Sequence, residues 1–220
     1  MERYTFLSVL AVTLVALALA LFIPGKEAEL PRSMPWQVEQ TEGGSTRVFG
    51  IELGSTTLSE VEAILKEEAE VSLFARDEGK RVVEAYFDNV DFSGLRARMV
   101  LVMALEPEEV DGMFDRGVRI ANMGGGSRKV TLADIDLQRV GNTPVGVLTY
   151  IPRINLDAAT IEKRFGTPAR RIKEKEGVIE HWLYPEKGLD IALDPEGKEV
   201  LQYVTPGRFD SLLQPLLQEQ

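Results

Sequence analysis

The residue best suited to acid–base or metal chemistry is His181, because it is the only histidine in the 220 residues. A serine triad could form only through it. It lies in Glu180-His181-Trp182-Leu183-Tyr184, which alternates as a strand does. A single histidine lacks the second ligand or the oriented nucleophile that such a site needs. We therefore interpret His181 as a surface residue of a strand.

Trp182 and Tyr184 are the large aromatic residues beside it. Two residues apart in a strand, they share one face of the sheet. Large aromatics in such positions more often fill the core under a helix than hold a ligand, so we predict that both are core residues.

A glycine-rich run could bind phosphate, because it combines backbone amides that no side chain covers with neighbouring cations, as phosphate-binding loops do. Its sequence is Gly124-Gly125-Gly126-Ser127-Arg128-Lys129. It lacks the Walker spacing, and a strand rather than a helix is predicted after it, from Lys129 to Leu132. We interpret the run as a flexible connector.

Two pairs of aspartates, Asp88 with Asp91 and Asp134 with Asp136, could bind calcium, but neither has the spacing of a calcium loop. We interpret both pairs as solvated turns. The charged run around Glu60 to Glu68 is typical of the polar face of a helix. The sequence therefore predicts no catalytic, cofactor-binding or metal-binding residue and no cofactor.

The apolar run from Phe6 to Ile23 contains no charged residue and would reach about 27 Å as a helix, close to the thickness of a bilayer core. Residues 1–24 are predicted to be a signal-anchor transmembrane helix that holds the rest in the periplasm, at the inner (cytoplasmic) membrane. The alternative is a signal peptide cleaved after Ala20, at Ala18-Leu19-Ala20.

The sequence contains no cysteine, which excludes a lipobox, disulfides, thiolate metal sites and cysteine nucleophiles. Its net charge is −10, which repels nucleic acid phosphates. We therefore expect no nucleic acid partner.

The chain after the anchor divides into four predicted parts: a stalk (25–46), a first module (47–117), a connector (118–144) and a second module (145–220). The first module contains a strand at 47–53, a helix from the capping box at Thr57, strands at 70–75, 81–90 and 95–105, and a helix at 107–117. The second contains a strand at 145–151, a helix at 157–165, strands at 170–175, 178–184, 189–193 and 200–204, and a helix at 208–217.

Each predicted module begins with a strand followed by a helix, and the two beginnings align at an offset of 98 residues. Leu53 aligns with Ile151, and Leu58 aligns with Leu156. We interpret this as a duplication. The predicted fold is α+β: two related modules, each a helix packed on an antiparallel meander sheet, after one N-terminal transmembrane helix.

The second module resembles the SmpA/OmlA (BamE-like) outer-membrane assembly lipoproteins and the beta-lactamase inhibitory proteins, which carry the module in tandem. The resemblance rests on Phe165-Gly166-Thr167-Pro168, Glu180-His181-Trp182-Leu183-Tyr184 and Leu189-Asp190-Ile191-Ala192-Leu193. It covers residues 145–205 well and 47–105 poorly. It implies protein binding without catalysis.

The sequence thus predicts a membrane-anchored periplasmic protein-binding or envelope-assembly factor without catalytic activity. Its expected partners are another envelope protein and the inner membrane. We expect contacts at uncovered sheet faces and at the loops 88–94 and 184–188. The alternatives are a small-ligand or lipid-binding periplasmic domain and an acid-dependent hydrolase.

Overall fold

The computed structural model describes residues 34–76, 79–175, 177–195 and 197–218. Within these ranges, no helix has the length and apolar character needed to cross a membrane. The predicted anchor, residues 1–24, and the alternative cleavage site after Ala20 lie outside the described residues.

Strands dominate the described chain. A small three-stranded sheet comes first in the sequence, with the order β1-β2-β3. Its strands are β1 (Glu39–Gln40), β2 (Thr46–Val48) and β3 (Ile51–Glu52). A ten-stranded antiparallel sheet follows, in the order β10-β11-β12-β13-β9-β6-β5-β4-β8-β7. Its strands are β4 (Glu70–Ala75), β5 (Arg81–Phe92), β6 (Leu95–Met103), β7 (Arg119–Gly124), β8 (Ser127–Thr131), β9 (Val145–Pro152), β10 (Arg170–Lys173), β11 (Glu180–Tyr184), β12 (Leu189–Leu193) and β13 (Val200–Tyr203).

Five short α-helices connect these strands or follow them. They are α1 (Leu58–Leu65), α2 (Pro107–Asp115), α3 (Asp134–Gly141), α4 (Ala158–Phe165) and α5 (Asp210–Gln218). Two 3₁₀ turns, Pro185–Lys187 and Pro206–Arg208, precede β12 and α5.

The predicted fold class is wrong, because the two halves of the chain do not form separate sheets. β6 pairs with β9 from Ala97 opposite Pro152 to Met103 opposite Val145, which joins the strands of both halves into one sheet. The predicted duplication is also absent from the strand order, since β9 lies in the large sheet and β2 and β3 in the small one. Residues 118–144 contain β7, β8 and α3.

One face of the large sheet carries the main hydrophobic core. Cross-strand neighbours on this face are buried in continuous rows, such as Leu101 opposite Leu148 and Leu148 opposite Tyr203. Buried residues of the helices α1, α2 and α4 join this core. Burial of these apolar rows supplies the main stabilisation of the sheet.

The small sheet inserts an aromatic residue into this core. The β2–β3 turn places Phe49 at a φ of 56°, where its ring is fully buried. The ring stacks on Phe92 with centroids 4.1 Å apart and lies 4.9 Å from Tyr150. The unfavourable backbone angle is thus offset by burial and aromatic contacts.

The first described residues also pack on this core, within the range predicted to be a stalk. The Trp36 ring contacts Phe165 edge-on at 6.3 Å, and the Tyr203 hydroxyl donates to the Pro35 carbonyl oxygen at 2.8 Å. Residues 34–46 are therefore attached to the second half of the chain.

The other face of the sheet is covered at the β10–β11 end by α5. Ile172, Leu183 and Phe209 form a second, smaller core there, against which Leu212 and Leu216 pack. Because α5 covers this end, β11 is buried on both faces from His181 to Tyr184.

Local signals in the sequence agree with these elements. The Thr57 capping box is confirmed, since the Thr57 side chain accepts from the Glu60 amide and the Glu60 side chain accepts from the Thr57 amide. The strand at 70–75 has the predicted bounds, and α4 ends before Gly166. Hydrogen bonds between residues close in sequence fix these features, so a few neighbouring residues are enough to predict them.

Candidate protein-binding edge

His181 is buried, so its interpretation as a surface residue is wrong. The residue is 8% exposed, and its side chain lies on the face of β11 opposite Trp182. Nδ1 is 2.8 Å from Asp190 Oδ2 on β12, and Nε2 is 3.1 Å from Glu174 Oε1 just after β10. Both ring nitrogens therefore contact carboxylates and neither is directed at a hydroxyl nucleophile.

The surroundings of His181 favour its protonated form. Burial lowers the pKa of the imidazole, but the hydrogen bonds and negative charges of Asp190 and Glu174 outweigh burial and raise the pKa above its ordinary value. A protonated ring donates from both nitrogens, as this geometry requires. The cluster thus links β10, β11 and β12 by charge-assisted hydrogen bonds.

Trp182 and Tyr184 are confirmed as core residues, since both are buried in the main core. The Trp182 Nε1 donates to Glu180 Oε2 at 2.8 Å, and the Tyr184 hydroxyl donates to the Gly166 carbonyl oxygen at 2.9 Å. Their polar atoms are therefore occupied by structural hydrogen bonds.

The glycine run is a hairpin turn and not a connector, so that interpretation is wrong. Gly124 pairs with Ser127, and Gly125 and Gly126 adopt the positive φ angles of 53° and 74° that a tight turn requires. A strand leads into the run and another leaves it, so no helix N-terminus is presented to a phosphate.

The interpretation of the two aspartate pairs as turns is wrong, because Asp88 and Asp91 lie in β5 and Asp134 and Asp136 lie in α3. Asp88, Asp91 and Asp134 are exposed as expected, but Asp136 is buried. Its carboxylate accepts from Arg116 Nη2 at 2.6 Å and from Arg116 Nε at 3.2 Å. Among the described residues, no group of three acidic or histidine side chains could hold a metal ion.

Exposed hydrophobic side chains concentrate at one end of the large sheet. Seven large hydrophobic residues are exposed in the described chain, and five of them lie between residues 118 and 137. These five, which we call the edge patch, are Val118, Ile120, Met123, Ile135 and Leu137. Val118, Ile120 and Met123 lie on or next to β7, and Ile135 and Leu137 lie on α3. Clustered exposed apolar residues are typical of protein-binding surfaces.

The edge patch is held in place by two contacts at its start. The ion pair between the half-exposed Arg116 and the buried Asp136 ties the chain just before β7 to α3. At Gly117 an added Cβ would lie 2.3 Å from Val130 Cγ1, so only glycine allows this approach to β8. Both contacts fix where β7 enters the sheet.

β7 is the outermost strand at this end, and β8 is its partner from Arg119 opposite Thr131 to Asn122 opposite Arg128. β7 was not predicted from the sequence. Its signal was the alternation of Val118 and Ile120 with polar or small residues, which ends after four paired positions at the glycine run.

The opposite edge of the sheet is different in character. In β10 the exposed residues are Arg170, Arg171 and Lys173, and the apolar Ile172 is covered by the second core. Charged residues are a common protection of edge strands against pairing with another chain. Three of the four residues of β10 are basic, whereas β7 has one basic residue, Arg119, and carries an exposed isoleucine and methionine.

An open groove of about 590 Å³ lies between α1 and α3. Leu58, Val71 and Leu137 contribute apolar surface to it, and Glu62 and Gln138 contribute polar atoms. The groove shares Leu137 of α3 with the edge patch.

No family model, curated protein or solved structure matches this chain. The resemblance to the SmpA/OmlA lipoproteins therefore stays a prediction from the quoted motifs.

Proposed function

We propose that this protein binds another protein of the cell envelope through the edge patch and has no catalytic role. The observation that carries the proposal is the concentration of five exposed hydrophobic residues on the edge strand β7, next to it and on α3, whereas the opposite edge strand β10 exposes basic residues. Apolar side chains in water favour association with a partner that buries them.

The alternatives receive less support from the geometry. The carboxylates around His181 are engaged with the ring, which does not suit an acid-dependent hydrolase. The groove between α1 and α3 is open and partly polar, whereas small-ligand pockets usually bury most of the ligand surface.

The envelope location is part of the proposal and rests on the sequence. The uncharged run Phe6 to Ile23 supports a retained anchor at the inner membrane. N-terminal sequencing of the membrane-extracted protein tests it, with the expected result that Phe6 is still present. A mature chain that begins at Leu21 would contradict the anchor.

Site-specific photo-crosslinking in native membranes tests protein binding. A photoreactive amino acid replaces Ile120 or Met123 in the edge patch, and Ile154 or Val178 as controls that are also exposed. We expect one dominant adduct with another protein from the edge patch positions and not from the controls. Adducts that are absent or identical at all four positions would overturn the proposal.

A further inference from the structure

We propose that β7 pairs with an extended segment of the partner protein, in which apolar residues alternate with Asp or Glu, as an eleventh strand of the large sheet. This inference rests on the proposed protein-binding function and specifies how the edge patch is used.

The backbone of β7 provides the first argument. In an antiparallel pair, every second residue directs its N–H and C=O groups toward the same neighbour. β7 lies at the end of the strand order, with β8 on one side. Alternate residues of β7 therefore direct their backbone groups away from the sheet, as a strand partner requires.

The core face of β7 shows which side chains would fit. Val83, Leu73, Val130 and Ile120 form one cross-strand row. The first three are at most 1% exposed, whereas Ile120 is 50% exposed. The row is interrupted because the sheet ends, so an apolar residue of an added strand would continue it and cover Ile120.

The opposite face of β7 favours acidic residues. Since Ile120 and Val130 point to the core face, Arg119 and Lys129 point to the other. Lys129 is paired with Glu70, and Arg119 is exposed. An added strand with a carboxylate beside Arg119 and an apolar residue beside Ile120 matches both faces.

The charge of the hairpin supports a foreign strand over a second copy of this chain. Residues 117–131 contain Arg119, Arg128 and Lys129 and no acidic residue, although the whole chain has a net charge of −10. Two copies paired through β7 would bring the Arg119 side chains of both to one seam, which is unfavourable. A strand with an acidic residue beside Arg119 would neutralise it.

Peptide binding to the full-length protein in detergent micelles tests the inference. The probe is a fluorescent six-residue peptide with alternating Glu and Val, and its counterpart carries Lys in place of Glu. Fluorescence anisotropy at low salt measures both. We expect the Glu peptide to bind at least about tenfold more tightly, because opposite charges across strands attract.

Two N-methylated versions of the Glu peptide test backbone pairing. One is methylated on the Val amides and the other on the Glu amides. In an added strand only one set of amides faces β7, so we expect one version to lose at least about tenfold in affinity and the other to keep it. Equal binding of both versions would overturn strand addition.

Variants of the protein identify the edge that is used. Arg119→Glu should reverse the preference toward the Lys peptide, and Ile120→Asp should abolish binding of both peptides. Lys173→Glu in β10 is the matched control and should leave the Glu peptide affinity unchanged. An effect of Lys173→Glu equal to that of Arg119→Glu would contradict the assignment to β7.

The outcomes separate this inference from the proposed function. If the photo-crosslinks from Ile120 persist but neither peptide binds, strand addition is wrong and protein binding stands. If sedimentation shows a dimer of the wild type that Ile120→Asp dissociates, a second copy occupies β7 and the inference is overturned. If crosslinks and peptide binding are both absent, the proposed function itself fails.

Discussion

At the residue scale, His181 is buried with its two ring nitrogens on the carboxylates of Asp190 and Glu174. The sequence places it in a strand, but its partners Glu174 and Asp190 come from neighbouring strands, and α5 covers its face of the sheet. The alternation of a strand shows which residues share a face and not whether a distant helix covers the second face. Trp182, on the main core face, was predictable from its size and spacing.

His181 makes the stability of the protein depend on pH. Its pKa is raised in the folded state, so it contributes stability that is fully present below the unfolded pKa of about 6.5 and is lost as the pH rises through the folded pKa. Urea unfolding of the wild type should show this loss as the pH rises above about 6.5.

The His181→Gln variant should lack this loss, because glutamine does not titrate. The two proteins should therefore differ most in unfolding free energy below about pH 6.5. The same pH slope in both would mean that His181 has the same pKa in the folded and unfolded states.

Gly188 lies where the backbone leaves no room for a side chain. It adopts a φ of 61°, and an added Cβ would lie 2.0 Å from the Val204 carbonyl oxygen and 2.8 Å from Thr46 Oγ1. We expect Gly188→Ala to cost about 2–4 kcal/mol of unfolding free energy through strain and overpacking. Gly207→Ala is the control, because nothing lies within 4 Å of its added Cβ. Equal urea midpoints for the two variants would refute this reading of Gly188.

At the element scale, the bounds of most helices and strands were predictable, whereas their pairing was not. Helix α2 and strand β4 follow from local signals such as Pro107 and the apolar alternation. The β6–β9 pair was not foreseen, because residues 104–144 separate the two strands and nothing in either strand specifies its partner. β7 was missed because its paired region is short and ends in glycines.

The capping box of α1 gives a prediction about one element. Thr57 accepts from the Glu60 amide and its own amide donates to Glu60 Oε2 at 2.8 Å. Thr57→Ala leaves an amide of the first turn without this acceptor and should cost about 1 kcal/mol. Ser59→Ala, in the same turn, is the control. The difference between the urea midpoints of the two variants measures the stabilisation by the Thr57 cap. Equal midpoints would mean that water replaces the Thr57 hydroxyl as the acceptor.

At the scale of the whole molecule, the joined sheet changes what is expected of the two halves. Two modules with separate sheets would unfold independently, whereas one sheet with a shared core unfolds as a unit. Leu148 lies at the junction on β9, fully buried between Leu101 of β6 and Tyr203 of β13. It is therefore the residue at which the two expectations differ most.

Leu148→Ala should lower the unfolding free energy of both halves together. Removing a buried leucine costs about 2–5 kcal/mol, and that loss should appear equally in β4 and β5 and in β11 and β12. Hydrogen exchange of the full-length protein, followed by mass spectrometry of peptides from each strand, measures it. Ile154→Ala is the control, because Ile154 is exposed just after β9. If Leu148→Ala reduced protection in β11 and β12 but left β4 and β5 unchanged, the halves would be separate folding units despite the shared sheet.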